Sequence, residues 1–292
     1  MGQNIAISAD STCDINEGFR KKYKIAVSAL HVNLDGKDYS DGIDIDPDHI
    51  LRVYGEKKIL PKTSSISEEE YADHFRGIFS QGADEIIHIS LSSKISSTYQ
   101  NAKNASIKLG NVYTVDSHNL SLGSGILAME AHKKISKFPV KTAQQIAEEL
   151  TILREKCDVS FVLSTLDFMA SGGRCPGLIA LGANILNIKP CIKVNSKEGK
   201  MSVGKMYRGK LETVLPKYIA DRLSLKEGFK GIANSRVFVV HSGVDKELLD
   251  ISVEAVRKST KDCIKEIVVS RAGCTITCHC GLNTVGIVFL WE

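Results

Sequence analysis

The chain has 292 residues, 43% hydrophobic and 25% charged, with a formal net charge of +4. That length can bury a large core and lies near where single cores split into two domains. No Lys/Arg run dominates and aromatics are only 6%, which argues against a nucleic-acid reader with its basic stripe and stacking rings. Residues 1–9 lack the basic and long apolar regions of a signal peptide. No apolar stretch nears the ~20 residues needed to span a bilayer. The expectation is a cytoplasmic protein with no integral membrane segment.

Residues 4–9 are a short apolar run ending in Asp10-Ser11-Thr12, the pattern of a buried parallel strand feeding a loop. Residues 25–34 read as a second strand, closed by Asp35-Gly36. Residues 47–56 read as a helix, with Asp46 as N-cap and Pro47 at its first position. Residues 67–81 form a clearer helix. Ser67 and Glu70 make a capping box, and Tyr71, Phe75, Ile78 and Phe79 its apolar face. A buried strand is expected at 85–91, a helix at 96–109 stopping at Gly110, a strand at 112–115, and helices at 124–136 and 141–156. Alternating β and α units predict a parallel sheet covered on both faces.

The second half has a different texture. A strand at 159–163 leads to Ser171-Gly172-Gly173-Arg174 and a small-residue helix over 177–186. Strands at 189–195 and 200–206 flank Ser196-Lys197-Glu198-Gly199, a hairpin signal. A helix at 213–222, a strand at 236–242, a helix at 246–259 and strands at 263–271 and 282–290 follow. Consecutive strands with few crossovers predict an antiparallel arrangement. The expected fold class is α/β in two domains. Residues 1–157 form an N-terminal parallel-sheet α/β domain, and residues 158–292 a C-terminal α+β domain with a mostly antiparallel sheet.

Of eight cysteines, Cys13, Cys157, Cys175, Cys191 and Cys263 have no paired spacing and read as small buried apolar residues of a reducing compartment. Cys274, Cys278 and Cys280 with His279 look at first like a metal cluster. Read as a strand, the segment puts the three thiols on one face and His279 on the other. No four-ligand site closes from it alone, and no second pair at C-x2-C spacing occurs. The expectation is packed thiols beside a functional histidine, with no metal and no cofactor.

Ligands of an open parallel sheet sit outside the carboxyl ends of its strands. Three loops there are rich in hydroxyls: Asp10-Ser11-Thr12, Ser92 through Tyr99, and Asp116-Ser117. A fourth, residues 62–67, precedes a helix. Each Ser or Thr alone reads as a helix cap. Four such loops on one sheet edge read as a site for an anionic oxygen group, built from hydroxyls, backbone N–H groups and helix N-termini. No G-x-x-x-x-G-K-[ST] is present, so the P-loop reading fails. Gly123-Ser124-Gly125-Ile126-Leu127-Ala128 fits a loose G-x-G-x-x-A but starts several residues past its strand and lacks an acid ~20 residues on. Small residues that let a helix pack closely account for it better. Neither G-x-S-x-G nor H-E-x-x-H occurs. Ser93, His279 and Asp116 offer the parts of a Ser/His acyl-ester hydrolase without any ordering motif.

The segment from Ile5 to Asp14, with Asp10-Ser11-Thr12-Cys13-Asp14, resembles the opening TDSTCDL of the DegV family. Residues 62–67 (KTSSIS) resemble its TSQPS segment, and residues 92–102 (SSKISSTYQNA) its SSxLSGTYQSA. Asp116-Ser117 with Gly123 and Gly125, then Ser171-Gly172-Gly173-Arg174, complete the order, so the likeness spans essentially the whole chain. Ala9, Ile66, Ser97 and Cys175 depart from the usual residues. His279-Cys280-Gly281 matches the start of the late HxGPG motif, with Leu282-Asn283 in place of Pro-Gly.

The resemblance implies a fatty-acid-binding protein that is the binding subunit of a two-component fatty acid kinase. It would hold a long-chain fatty acid in a buried apolar tunnel. It would present the carboxylate to a separate ATP-dependent kinase protein, which makes the acyl phosphate. Thr63 and Ser93, with Ser92 next, are the implied carboxylate ligands, and His279 the implied neighbouring histidine. Arg174 and Arg208 are candidates for partner or phosphate contacts beside an ordinary surface role. The protein would not be an enzyme by itself, and a monomer is expected. Burial of about 0.8 kcal/mol per CH2 lets the tail supply most of the affinity while the head group needs only orientation.

Overall fold

The computed structural model describes residues 4–137, 140–179, 187–224, 228–261 and 263–292. In the first half the order is β1 (Ile5–Asp10), α1 (Glu17–Lys22), β2 (Ile25–Ser28), β3 (His31–Leu34), β4 (Lys37–Ser40), α2 (Pro47–Lys57), β5 (Lys62–Ser64), α3 (Glu68–Ser80), β6 (Glu85–Ser90), α4 (Thr98–Leu109), β7 (Val112–Asp116), α5 (Leu122–Ile135) and α6 (Ala143–Leu153). Then come β8 (Cys157–Val162), α7 (Asp167–Gly172), α8 (Pro176–Ile179), β9 (Ile188–Asn195), β10 (Lys200–Arg208), α9 (Leu211–Leu223), β11 (Arg236–Ser242), α10 (Lys246–Ser259), β12 (Glu266–Arg271), α11 (Cys274–Cys280) and β13 (Thr284–Leu290).

The fold is mixed α/β. A four-stranded sheet in the order β2-β1-β6-β7 is parallel throughout. A six-stranded sheet, β10-β9-β8-β13-β11-β12, is antiparallel except where β11 meets β12. Every position of β6 is buried, as a central strand covered on both faces requires. The helices at 47–57 and 68–80 are capped as their sequences specify. Asp46 accepts from His49 N–H at 2.9 Å, and Ser67 and Glu70 close the capping box. Ser196 through Gly199 turn the β9–β10 hairpin, with Gly199 at φ +72°.

Helix α5 lies between the two sheets and touches β1 and β6 on one side and β8 and β13 on the other. Residues Leu122 through Met129 are therefore all buried, and over this stretch the helix has no solvent face. A Cβ on Gly123 would meet Val159 Cγ2 at 2.5 Å, and one on Gly125 would meet the Cys13 carbonyl at 2.6 Å. The G-x-G pattern serves close packing.

Several expectations are corrected. The strand expected at 25–34 is two strands in different sheets, β2 and β3. The chain breaks at Leu30, whose N–H donates to Ser11 Oγ and whose carbonyl accepts from Asp41 N–H. A small antiparallel sheet, β4-β3-β5, was not anticipated. β5 has three residues, too few and too polar for alternation to show. Residues 274–280, read as a strand, form the helix α11. The segment is buried nearly all round, so no amphipathic period marks it. Helical spacing pairs Cys274 with Cys278 and Thr275 with His279 on separate faces. Cys263 is exposed, not buried, because it sits in the loop after α10. Of the helix expected at 177–186, residues 180–186 lie outside the described residues.

Replacing Gly123 by Ala should destabilise the protein by about 1–3 kcal/mol through overpacking. Gly77, in α3 with open space at its Cβ, is the control. Gly77→Ala should gain ~0.5–1 kcal/mol. Urea unfolding curves of the two variants check the contrast.

Candidate functional site

Helix α11 is seven residues long and includes three β-branched residues, so it is not stable by propensity. Its N-terminus is held from outside. Asp41 accepts from Cys274 N–H at 2.8 Å and Thr275 N–H at 3.1 Å, and Asp14 accepts from Gly273 N–H at 2.8 Å. The helix thereby aims His279 at β5, where His279 Nε2 and Thr63 Oγ1 are 2.9 Å apart. The ring also abuts α7. A Cβ on Gly172 would lie 2.2 Å from His279 Nδ1, so only glycine fits there. Gly173, at φ +67°, ends α7 and turns Arg174 outward.

Thr63, His279 and Arg174 line one cavity of roughly 260 Å³. Its walls include Leu30, Leu91, Leu120, Phe161, Met169 and Ile276, and among the described lining residues Arg174 alone is charged. Leu120, Phe161, Ile276 and Cys280 also line a narrower space of about 30 Å³, which runs on between α11 and strands β8, β11 and β13. The site thus has a polar end at Thr63 and His279 and an apolar interior.

The expected serines are placed differently. Ser92 is buried under the β9–β10 hairpin, where its hydroxyl donates to the Gly199 carbonyl at 2.7 Å. Ser93 donates its backbone N–H to Asp116. Neither is among the cavity's lining residues. The chain turns back over Ser92, with Ile95 and Ser96 N–H groups donating to its carbonyl. That turn carries Ser96 and Ser97 to the cavity instead. Ser96 Oγ accepts from Thr98 N–H at 3.2 Å and lies 2.7 Å from Thr98 Oγ1. Ser97 Oγ donates to Ser65 Oγ, tying α4 to the β5 segment. Arg208 ends the sheet-edge strand β10 and does not line the cavity.

The parts of a hydrolase are not brought together. The Asp116 carboxylate accepts from Ser93 and His118 backbone N–H groups, while the partner of His279 is Thr63. Besides Ser64, Ser65, Ser96 and Ser97, the lining hydroxyls Thr12 and Thr275 went unassigned by sequence. Thr12 stood in a hydroxyl-rich loop, but Thr275 was hidden by the strand reading. Among the described residues, no group of three or more His, Cys, Asp or Glu could hold a metal ion. No helix among them is long and apolar enough to cross a membrane.

The family model described as "Uncharacterised protein, DegV family" matches residues 4–292. The chain belongs to the DegV family. A DegV domain-containing protein of Caldanaerobacter subterraneus subsp. tengcongensis is 30% identical over 289 residues, covering 98% of this chain and 99% of that one. Among solved structures, a fatty-acid-binding DegV family protein from Thermus thermophilus superposes with a TM-score of 0.83 at 29% identity, covering 99% of this chain and 100% of that one. A Thermotoga maritima protein described as revealing fatty acid binding function has a TM-score of 0.79 at 25% identity, with both chains fully covered. Against this DegV background, the hydroxyl-rich segments at 10–12, 62–67 and 92–99 and the glycines at 172 and 173 all approach one cavity.

Burial, reinforced by the Arg174 charge, lowers the pKa of His279 to about 4. The ring is therefore neutral at pH 7. Burial likewise pushes up the thiols of Cys274, Cys278 and Cys280, which makes them poor nucleophiles. A histidine whose folded pKa lies below its ordinary 6.5 binds fewer protons folded than unfolded between those values. Its contribution to stability is present above 6.5 and is lost as pH falls toward 4. Unfolding curves should therefore show a smaller loss over that window in His279→Gln than in the wild type. The His279 ring should not titrate by NMR above pH 5.

Proposed function

We propose that the protein binds a long-chain fatty acid in this cavity and presents its carboxylate to a separate ATP-dependent kinase that forms the acyl phosphate. The observation that carries the reading is the order of the lining, with hydroxyls and a neutral imidazole at one end and apolar side chains running inward from it. Fatty acid binding by the Thermus thermophilus relative supports it. With the domain boundary taken between residues 157 and 158, the tail runs in a buried tunnel at the contact of the two domains. An ATP-using partner places the protein in the cytoplasm, where we take it to act as a monomer.

Thr63 and Ser96 hold the carboxylate in this reading, and His279 beside them orients the Thr63 hydroxyl. His279 Nδ1 is buried with no partner among the described residues. A buried N–H left unpaired is rarer than an unpaired acceptor, so the ring proton belongs on Nε2, donating to Thr63 Oγ1. The Thr63 hydroxyl is then turned to the ligand. Thr98 O–H donating to Ser96 Oγ frees the Ser96 hydroxyl in the same way. Neutral donors fix the carboxylate without a tight ion pair, leaving an oxygen free to attack phosphorus. Arg174, exposed at the cavity's rim, meets the partner or the transferred phosphate. Arg208, which is not among the described lining residues, has no part in the carboxylate site in this reading.

Native mass spectrometry of gently purified protein should show a bound fatty acid, and a protein that takes up no long-chain acid on titration would overturn the reading. Hydrogen bonds to a charged group are worth about 1.5–3 kcal/mol each. Thr63→Val and Ser96→Ala should each weaken binding ~10-fold or more. Both should lose far more kinase-dependent phosphorylation, since in-line transfer demands a positioned oxygen. Ser93→Ala should leave both measurements close to wild type.

A further inference from the structure

Two hydroxyls in the cavity have no part in the carboxylate site. Thr12 is 0% exposed and Thr275 4%. Both line the cavity, and neither Oγ1 has a hydrogen-bond partner among the described residues. Their neighbours are satisfied. Ser11 Oγ donates to Asp41 at 2.9 Å, and Ser92, Ser96 and Thr63 are all bonded. Thr275 stands in the first turn of α11, where no helical carbonyl lies four residues back to take its hydroxyl. The turn that carries Thr12 also packs against α11, which carries Thr275. Ser11 Oγ and Thr275 N–H bond the same oxygen of Asp41.

Thr275 precedes His279 by four residues, so the two side chains share a face of α11, one turn or ~5.4 Å apart. The hydroxyl pair therefore lies just beyond the polar end of the cavity, along the first part of an acyl chain whose carboxylate is at Thr63 and His279. A plain methylene chain would pass two buried hydroxyls and satisfy neither, and such groups are costly unless bonded. We propose that Thr12 and Thr275 form a second polar subsite. It takes an oxygen carried on the acyl chain near its carboxyl end, so that the ligand class includes 3-hydroxy or 3-oxo acids. This rests on the fatty-acid reading and refines its substrate class. A hydroxyl group can both donate to one threonine and accept from the other. With an unsubstituted acid, only a water could occupy the pair.

The test is calorimetric titration with hexadecanoic acid and 3-hydroxyhexadecanoic acid. Wild-type protein, the Thr12→Val/Thr275→Val double variant and the Thr12→Ser/Thr275→Ser double variant are compared. The wild type should favour the hydroxy acid by ~10-fold relative to the valine variant. The serine variant keeps the hydroxyls and should keep the preference, which separates the effect from altered packing. Hexadecanoic acid should bind the valine variant at least as tightly as the wild type. Equal preference in the wild type and the valine variant, with both acids bound, would overturn the subsite while the fatty-acid reading stands. Failure of the wild type to bind either acid would overturn both.

Discussion

The Asp41 carboxylate accepts the first two helical N–H groups of α11 and the hydroxyl of Ser11, and the geometry of the cavity follows from that clamp. A seven-residue helix with no stability of its own exists because its orphan donors find a buried acceptor more than two hundred residues away in sequence. Asp14 adds a second acceptor at Gly273 and receives the Ser121 hydroxyl. Burial, with repulsion from Asp41, raises Asp14 to about 8, so the pair avoids two adjacent buried charges at neutral pH. His279, Thr275 and Ile276 take their places only once both halves of the chain are docked.

A second constraint comes from α5. A helix packed between two sheets sets their separation, and its glycines bring β8 and the loop after β1 to contact distance. Just ahead of it, Ser121 sits at φ 51°, ψ −145°, a conformation that costs a non-glycine residue energy. Its hydroxyl bond to Asp14 offsets part of that cost. Leu120, immediately before it, lines both the wider cavity and its narrow extension. Where α5 begins, the space between the sheets is no longer filled, and the cavity lies there.

Much of the fold was legible because its signals are local. The buried strands of the parallel sheet, the Ser67–Glu70 capping box, Pro47 and the β9–β10 hairpin each announce themselves within a few residues. What was not legible depends on distant partners. The break between β2 and β3 is made by Ser11 and Asp41, and α11 by Asp14 and Asp41. A helix buried on every side carries no period, and cysteine, threonine and isoleucine in alternation imitate a strand. That single misreading hid Thr275. Motif order survives without geometry, and it marked Thr63, His279 and Arg174, which line one cavity. Ser92 and Ser93 were expected there, but only the folded loop shows that Ser92 faces the hairpin and that Ser96 lines the cavity.

The distribution of charge fits the proposed chemistry better than a stronger binding site would. A protonated histidine beside a carboxylate would form a buried ion pair, gaining affinity in the low-dielectric interior but withdrawing charge from the oxygen that must attack phosphorus. Here burial and Arg174 keep His279 neutral. Gly172 packs against Nδ1, so no carboxylate approaches that nitrogen to raise its basicity as in a hydrolytic triad. Arg174, the one charged residue among the described lining, is exposed at the rim, where negative charge would accumulate in the proposed transfer to a partner. In the proposed function affinity would come from the apolar walls and orientation from neutral hydroxyls. A ligand held that way would be bound firmly and would keep the reactivity of its carboxylate.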